Sequence, residues 1–357
     1  MALSQDKIEK ISFQAIQVLF SRFTSFPENA SQNRNAPFHT AFLNAFGDKF
    51  ADKACDIPFF VSLSGWLHGL STTIGQNFFE NTAFILSDGE KREYTSGKLG
   101  NLQITRKQRG NIGKITADLS NRTAKPNLTE EDNLIFIIDD SELISAMDFS
   151  ADVFIDDGKQ IIAIESKTVK PNSGGSQGEK RKILEGKAAL FNKYPNHQIS
   201  FFLGFPFDPT SKDSATGFDK VRFTKSVINL NKSFAPEEIL LAGELWDKLS
   251  GEENTMEQIL AIINSIATVE FMNEYNFLNE QQNKIDKRYR ELLVRWNLCS
   301  EIELFDKEAE LLAQIENNKS AMKRFNQMIF KDGKYKQDRY ESLRVHLIKN
   351  AEQTNLF

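Results

Sequence analysis

The chain has 357 residues, of which 40% are hydrophobic and 26% charged, with a formal net charge of −5. That length allows one large domain or two ordinary ones, and the composition is that of a soluble globular protein. No apolar run reaches the roughly eighteen residues that span a bilayer. The start, MALSQDKIEKIS, has no basic and then apolar leader, and Cys55 and Cys299 are too few for a disulfide framework. The histidines show no ligand spacing, so a cytoplasmic location is the default expectation.

Residues 7–23 carry Ile8, Ile11, Ala15, Ile16, Leu19 and Phe20 at helical spacing. A second helix is expected over 37–51 and a third within 67–86, with Glu80 on the third. Residues 91–125 change character, with basic side chains outnumbering acids and Gly97, Gly100, Gly110 and Gly113 among amides. Such a glycine-rich basic segment suits a DNA surface, since cations neutralise phosphates while Arg and Asn read base edges; the bland alternative is a solvated loop. Residues 133–138 read as a strand ending at Asp139-Asp140.

The most informative stretch is 149–190. An apolar, β-branched run ends at Asp156-Asp157-Gly158-Lys159, and a second runs from 160 to 168. Asp-Gly between two such runs predicts a type I′ hairpin. That turn sets Asp152 opposite Ala163 and makes Asp152 and Glu165 diagonal neighbours, roughly 7–8 Å apart. Lys167 shares their face and Ser166 points away. Two carboxylates and an ammonium then converge where Mg²⁺ finds carboxylates, waters and phosphate oxygens. Asp139 is a rival first carboxylate, but no register places it beside Glu165. Residues 178–191 read as a helix with Lys180, Arg181, Lys182 and Lys187 exposed, and 197–205 as a further buried strand. From residue 235 onward the pattern is helical, with helices expected over 256–271, 280–296, 301–328 and 337–349.

Asp152, twelve intervening residues and then Glu165-Ser166-Lys167 resemble the PD-(D/E)XK nuclease signature, with Ala151 in place of its proline. Together with LSTTIGQNFFE at 70–80 and the KPN loop and basic helix after the signature, the chain resembles type II restriction endonucleases of the TdeIII-like family. The resemblance implies an α/β PD-(D/E)XK core, a mixed central sheet flanked by helices, within a nuclease domain at 1–230. A helical C-terminal subdomain fills 231–357. It implies Mg²⁺-dependent hydrolysis of double-stranded DNA at a short sequence, leaving 5′-phosphates, by a homodimer with one active site per strand. Asp152 and Glu165 would hold the metal, Lys167 would place the attacking water, and Glu80 would assist from its helix. Arg106, Lys107, Arg109, Lys114, Lys170, Asn172, Lys180 and Lys182 are the expected DNA contacts. Two rivals use the same core: a structure-specific or repair nuclease, and a catalytically silent DNA-binding module.

Overall fold

The computed structural model describes residues 2–27, 57–88, 90–94, 102–167, 173–212 and 214–354; the helix expected at 37–51 lies outside them. The chain forms two compact units, residues 1–3 with 79–258 and residues 4–78 with 259–357. They do not follow the division drawn from the sequence at 230/231. Helices from both ends of the chain share one unit, and the sheet with its helices makes the other.

Helices α1 (Gln5–Phe23) and α2 (Ile57–Thr73) are followed by a π-helical turn, Ile74–Phe79, and by α3 (Glu80–Ser87). Strand β1 (Glu90–Tyr94) comes next, and β2 (Gln103–Thr105) pairs with β3 (Leu143–Ser145) in a small ribbon. Between those two lie α4 (Arg106–Asn121) and α5 (Leu128–Ile135). Strands β4 (Phe149–Asp156) and β5 (Gln160–Ser166), helix α6 (Ser173–Lys193) and strand β6 (Gln198–Phe205) form the centre. After α7 (Lys220–Ser226) and the short α8 (Leu230–Ser233), strand β7 (Ile239–Leu241) leads into α9 (Gly243–Ser250).

Among the described residues the main sheet runs β1-β4-β5-β6-β7. The pairs from β1 to β5 are antiparallel, and β5, β6 and β7 are parallel. This is a mixed α/β architecture with flanking helices. Ile161, Ile162, Ala163 and Ile164 are all buried, as a central strand covered on both faces requires. Gly204 on β6 lets its neighbours close: a Cβ there would lie 3.0 Å from Ile164 Cγ2 and from Leu245 Cδ1.

Four expectations fail for physical reasons. The basic stretch, in which the sequence pattern indicates no helix, contains helix α4. Thr105 and Gln108 form a capping box, and Ile112, Ile115 and Leu119 pack against Leu184 and Ala188, which offsets the helix cost of Gly110 and Gly113. Residues 133–138 contain the end of α5, not a strand. Asn127 caps that helix and Glu130 and Glu131 suit its first turn, and a short apolar run cannot by itself choose between helix and strand. The region after 235 is not wholly helical, because three buried residues, Ile239–Leu241, extend the sheet parallel to β6. The helix expected over 301–328 is three short ones: α13 (Cys299–Asp306), α14 (Glu308–Ile315) and α15 (Lys319–Phe325). Asn318 stops the pattern by accepting from the Ala321 N–H at 3.1 Å.

Preceding these are α10 (Thr255–Ile266), α11 (Phe271–Asn279) and α12 (Lys287–Arg295), and α16 (Gln337–Thr354) follows them. The chain's thirty phenylalanines find use here. Phe271 stacks on the fully buried Trp296 at 5.5 Å between ring centroids, and Phe13 on Tyr335 at 4.1 Å.

Candidate active site

The β4–β5 hairpin closes differently from the expected two-residue turn. The last pair is Asp156 with Ile161, and four residues connect them. Asp157 Oδ1 accepts the backbone N–H groups of Lys159 (2.9 Å) and Gln160 (2.8 Å), and the Gly158 N–H donates to Asp156 Oδ1 at 2.9 Å. Only Gly158 adopts positive φ, at 81°. These side-chain bonds favour a wider turn than type I′, which needs two such residues. They also hold the Asp157 carboxyl below its ordinary range, the Gln160 N–H most and the Lys159 N–H next.

The register therefore shifts by two residues. Side chains alternate with period two, so the shift leaves every side chain on its expected face. Val153 faces Ile164, and Asp152 and Glu165 are the next residues on the two strands. Asp152 Oδ2 also accepts the Ser166 N–H at 2.7 Å, which ties it to the end of β5.

Lys167 follows β5 immediately, and its backbone N–H donates to Gly204 O at 2.8 Å. Its Nζ lies 2.9 Å from Glu165 Oε1 and 3.1 Å from Glu179 Oε1. Lys182 Nζ stands 3.6 Å from Glu165 Oε1 and 3.9 Å from Glu179 Oε2. Glu179 and Lys182 are three residues apart on α6, hence on one helix face. Burial pulls the Lys167 ammonium's pKa down, but Glu165 and Glu179 outweigh it, and the net shift is upward. Lys167 is therefore a cation at neutral pH. Glu165, on a central strand, is only 8% exposed.

Among the described residues no three His, Cys, Asp or Glu side chains gather into a metal cage. Mg²⁺ does not need one, because it binds through one or two carboxylates and completes its octahedron with water and phosphate oxygens. Asp152 and Glu165 fit that pattern. Glu179 Oε2 is buried without a hydrogen-bond partner, the kind of acceptor that an ordered water satisfies. From its place in the sequence Glu179 is a candidate contact of the scissile region, with capping or solvation as the alternative, and not an expected partner of Lys167. Its signal in the sequence was the Glu179/Lys182 spacing at the start of a helix, which is common on solvated helices.

The other candidates divide. Glu80 opens α3, and α3 packs against β4, the strand of Asp152. Asp139 is held by Ser141 and by Thr105 Oγ1 (2.7 Å), away from the hairpin ladder. Lys107 and Lys114 are exposed on α4. Arg106 pairs with Glu142 at 2.5 Å on the surface, and Arg109 with the buried Glu185 at 3.2 Å. Lys170 and Asn172 lie outside the described residues. Lys180 and Lys187, expected on the exposed face of α6, are each 1% exposed. Lys180 is clamped between Glu131 and Glu238, and Lys187 bonds Asp132. Lys180 has no surface to offer a phosphate. The hydrophobic pattern could not distinguish it from Lys182, two residues on, which faces Glu165.

A mixed sheet that sets two carboxylates and a lysine at one hairpin fits an α/β nuclease. The family model for the type II restriction endonuclease HinfI matches residues 4–267. The type II restriction enzyme MjaII of Methanocaldococcus jannaschii is 41% identical over 361 residues, covering 95% of this chain and 96% of that protein. The chain belongs to the HinfI family of type II restriction endonucleases, and as such it is a site-specific deoxyribonuclease. The type II assignment implied by the motifs holds; the narrower TdeIII-like resemblance rests on those motifs alone.

Proposed function

We propose that cleavage is Mg²⁺-dependent hydrolysis of the PD-(D/E)XK kind, centred on Asp152, Glu165 and Lys167. The observation that carries this reading is the Ser166 N–H donating to Asp152 Oδ2 at 2.7 Å, one residue from Glu165, with Lys167 Nζ 2.9 Å from Glu165 Oε1. Asp152 and Glu165 hold the cation, which when bound offsets charge on the scissile phosphate and acidifies water. Lys167 orients the attacking water and faces the negative charge that grows on the phosphate oxygens. Its partner Glu179, reaching from α6, holds the ammonium when DNA is absent. Glu80 assists the cation site from α3, next in the chain after a π-helical turn, a feature that concentrates at functional sites.

The enzyme acts as a homodimer with one active site on each strand. Lys107 and Lys114 on α4, with Lys170 and Asn172, contact the backbone of the duplex. Digestion of a supercoiled plasmid tests this reading. Discrete linear fragments with 5′-phosphate ends are expected in Mg²⁺ and none in EDTA, with little nicked circle accumulating. The Glu80→Gln variant is expected to need several-fold more Mg²⁺ for the same rate. Full cleavage in EDTA would exclude the metal mechanism, and a nicked product alone would exclude the paired sites.

A further inference from the structure

Within the sheet-bearing unit, a cavity of about 250 Å³ lies where the C-terminal end of α4, the first turns of α6 and the short α8 come together. Arg122, Lys232, Gln177, Asn229, Ser120 and Ser233 line it, and no lining residue is acidic. The Arg122 guanidinium makes no ion pair or hydrogen bond among the described residues. Among the described residues Lys232 Nζ bonds only the neutral amide of Asn229, at 2.6 Å. Two cations without a counter-charge thus share one polar hollow, with amide and hydroxyl donors around them. Arg122 also holds a left-handed backbone, φ 61°, at the end of α4. This is the left-handed termination common at helix C-termini, here with the Arg122 N–H donating to the Asp118 and Leu119 carbonyls.

The volume is below the roughly 300–1,000 Å³ of pockets that enclose drug-sized ligands. It suits a single tetrahedral oxyanion with a few waters. Arg presents a planar fork to phosphate oxygens, and Lys adds a point charge. None of these residues belongs to the cluster at Asp152. We propose that this cavity is a phosphate-group subsite that grips the backbone of the bound duplex away from the bond that is cut. The proposal rests on the chain's action on DNA and not on the roles given to Asp152, Glu165 and Lys167, so either can fail without the other.

The test is duplex affinity in EDTA, where no cleavage competes, followed across roughly 50–300 mM KCl for the wild type, Arg122→Gln and Lys232→Gln. Each variant is expected to lower the slope of log K against log salt by about 0.9, as the loss of one phosphate contact does. Affinity at low salt should fall several-fold, while the single-turnover cleavage rate at saturating duplex and Mg²⁺ stays at the wild-type value. Lys232→Gln keeps the test informative if Arg122→Gln perturbs the end of α4. Slopes equal to the wild type in both variants would overturn the proposal. Titration with inorganic phosphate separates the two sources of the anion. Phosphate binding that Arg122→Gln abolishes, with unchanged salt slopes, would assign the cavity to a free phosphate compound and overturn the DNA assignment.

Discussion

Lys167→Ala is expected to slow single-turnover DNA cleavage by about 10³-fold or more, equivalent to roughly 4 kcal/mol of transition-state stabilisation. Duplex affinity in EDTA should change by less than about fivefold, roughly 1 kcal/mol. The split follows from position. Lys167 Nζ sits between Glu165 and Glu179, not on the open surface, so it gives little to ground-state binding. In the proposed mechanism its ammonium acts when charge builds on the phosphate and a water must be aimed at phosphorus. A quench-flow time course against a cognate duplex measures the first quantity, and fluorescence anisotropy the second. An undiminished cleavage rate would remove the lysine from the chemistry. A large loss of affinity with the rate at saturation intact would make it a binding residue.

Lys180→Ala is expected to be among the most destabilising single substitutions in the sheet-bearing unit, costing about 3–5 kcal/mol. The ammonium is enclosed by Glu131 and Glu238, with Nζ 2.6 Å from Glu238 Oε1, and lies over the Phe234 ring at 5.2 Å from its centroid. Removing it leaves two buried carboxylates without a counter-ion. Burial already pushes the Glu131 carboxyl above its ordinary range even with Lys180 pulling it down. A carboxylate whose folded pKa is raised penalises the fold as pH climbs through that pKa, and the penalty vanishes once the group is protonated in both states. The deficit of Lys180→Ala should therefore be largest near neutral pH and shrink as pH falls through the carboxylate range. Urea unfolding at pH 5 and pH 7.5 measures it. The combined replacement of Lys180 by Met and of Glu131 and Glu238 by Gln should regain much of the loss, because it leaves no buried charge. An equal deficit at both pH values would show that the ion cluster is not what Lys180 provides.

The candidate site was legible in the sequence because it is local. Asp152, Glu165 and Lys167 lie within sixteen positions on one hairpin, and period-two alternation put them on one face. That face assignment does not depend on the turn read for the hairpin, since the Asx bonds of Asp157 displaced the register by two residues and not by one. Glu179 and Lys180 show where such reading stops. They are adjacent in sequence, yet α6 sends one to the Lys167 ammonium and the other into a buried ion cluster. Which is which depends on α5 and on the turn at Pro236–Glu238, which carry Glu131 and Glu238. Strand β7 was hidden for a similar reason, since three apolar residues identify a strand only once β6 stands beside them.

The central claim is that Asp152 and Glu165 together form the cation site of the DNA-cleaving centre. Electron paramagnetic resonance of Mn²⁺, used in place of Mg²⁺ and titrated into the enzyme–duplex complex, addresses it most directly. Wild-type enzyme should bind the ion, and Asp152→Asn and Glu165→Gln should each weaken that binding by about tenfold or more, roughly 1.4 kcal/mol. Unchanged Mn²⁺ affinity in both variants would place the cation elsewhere and contradict the claim.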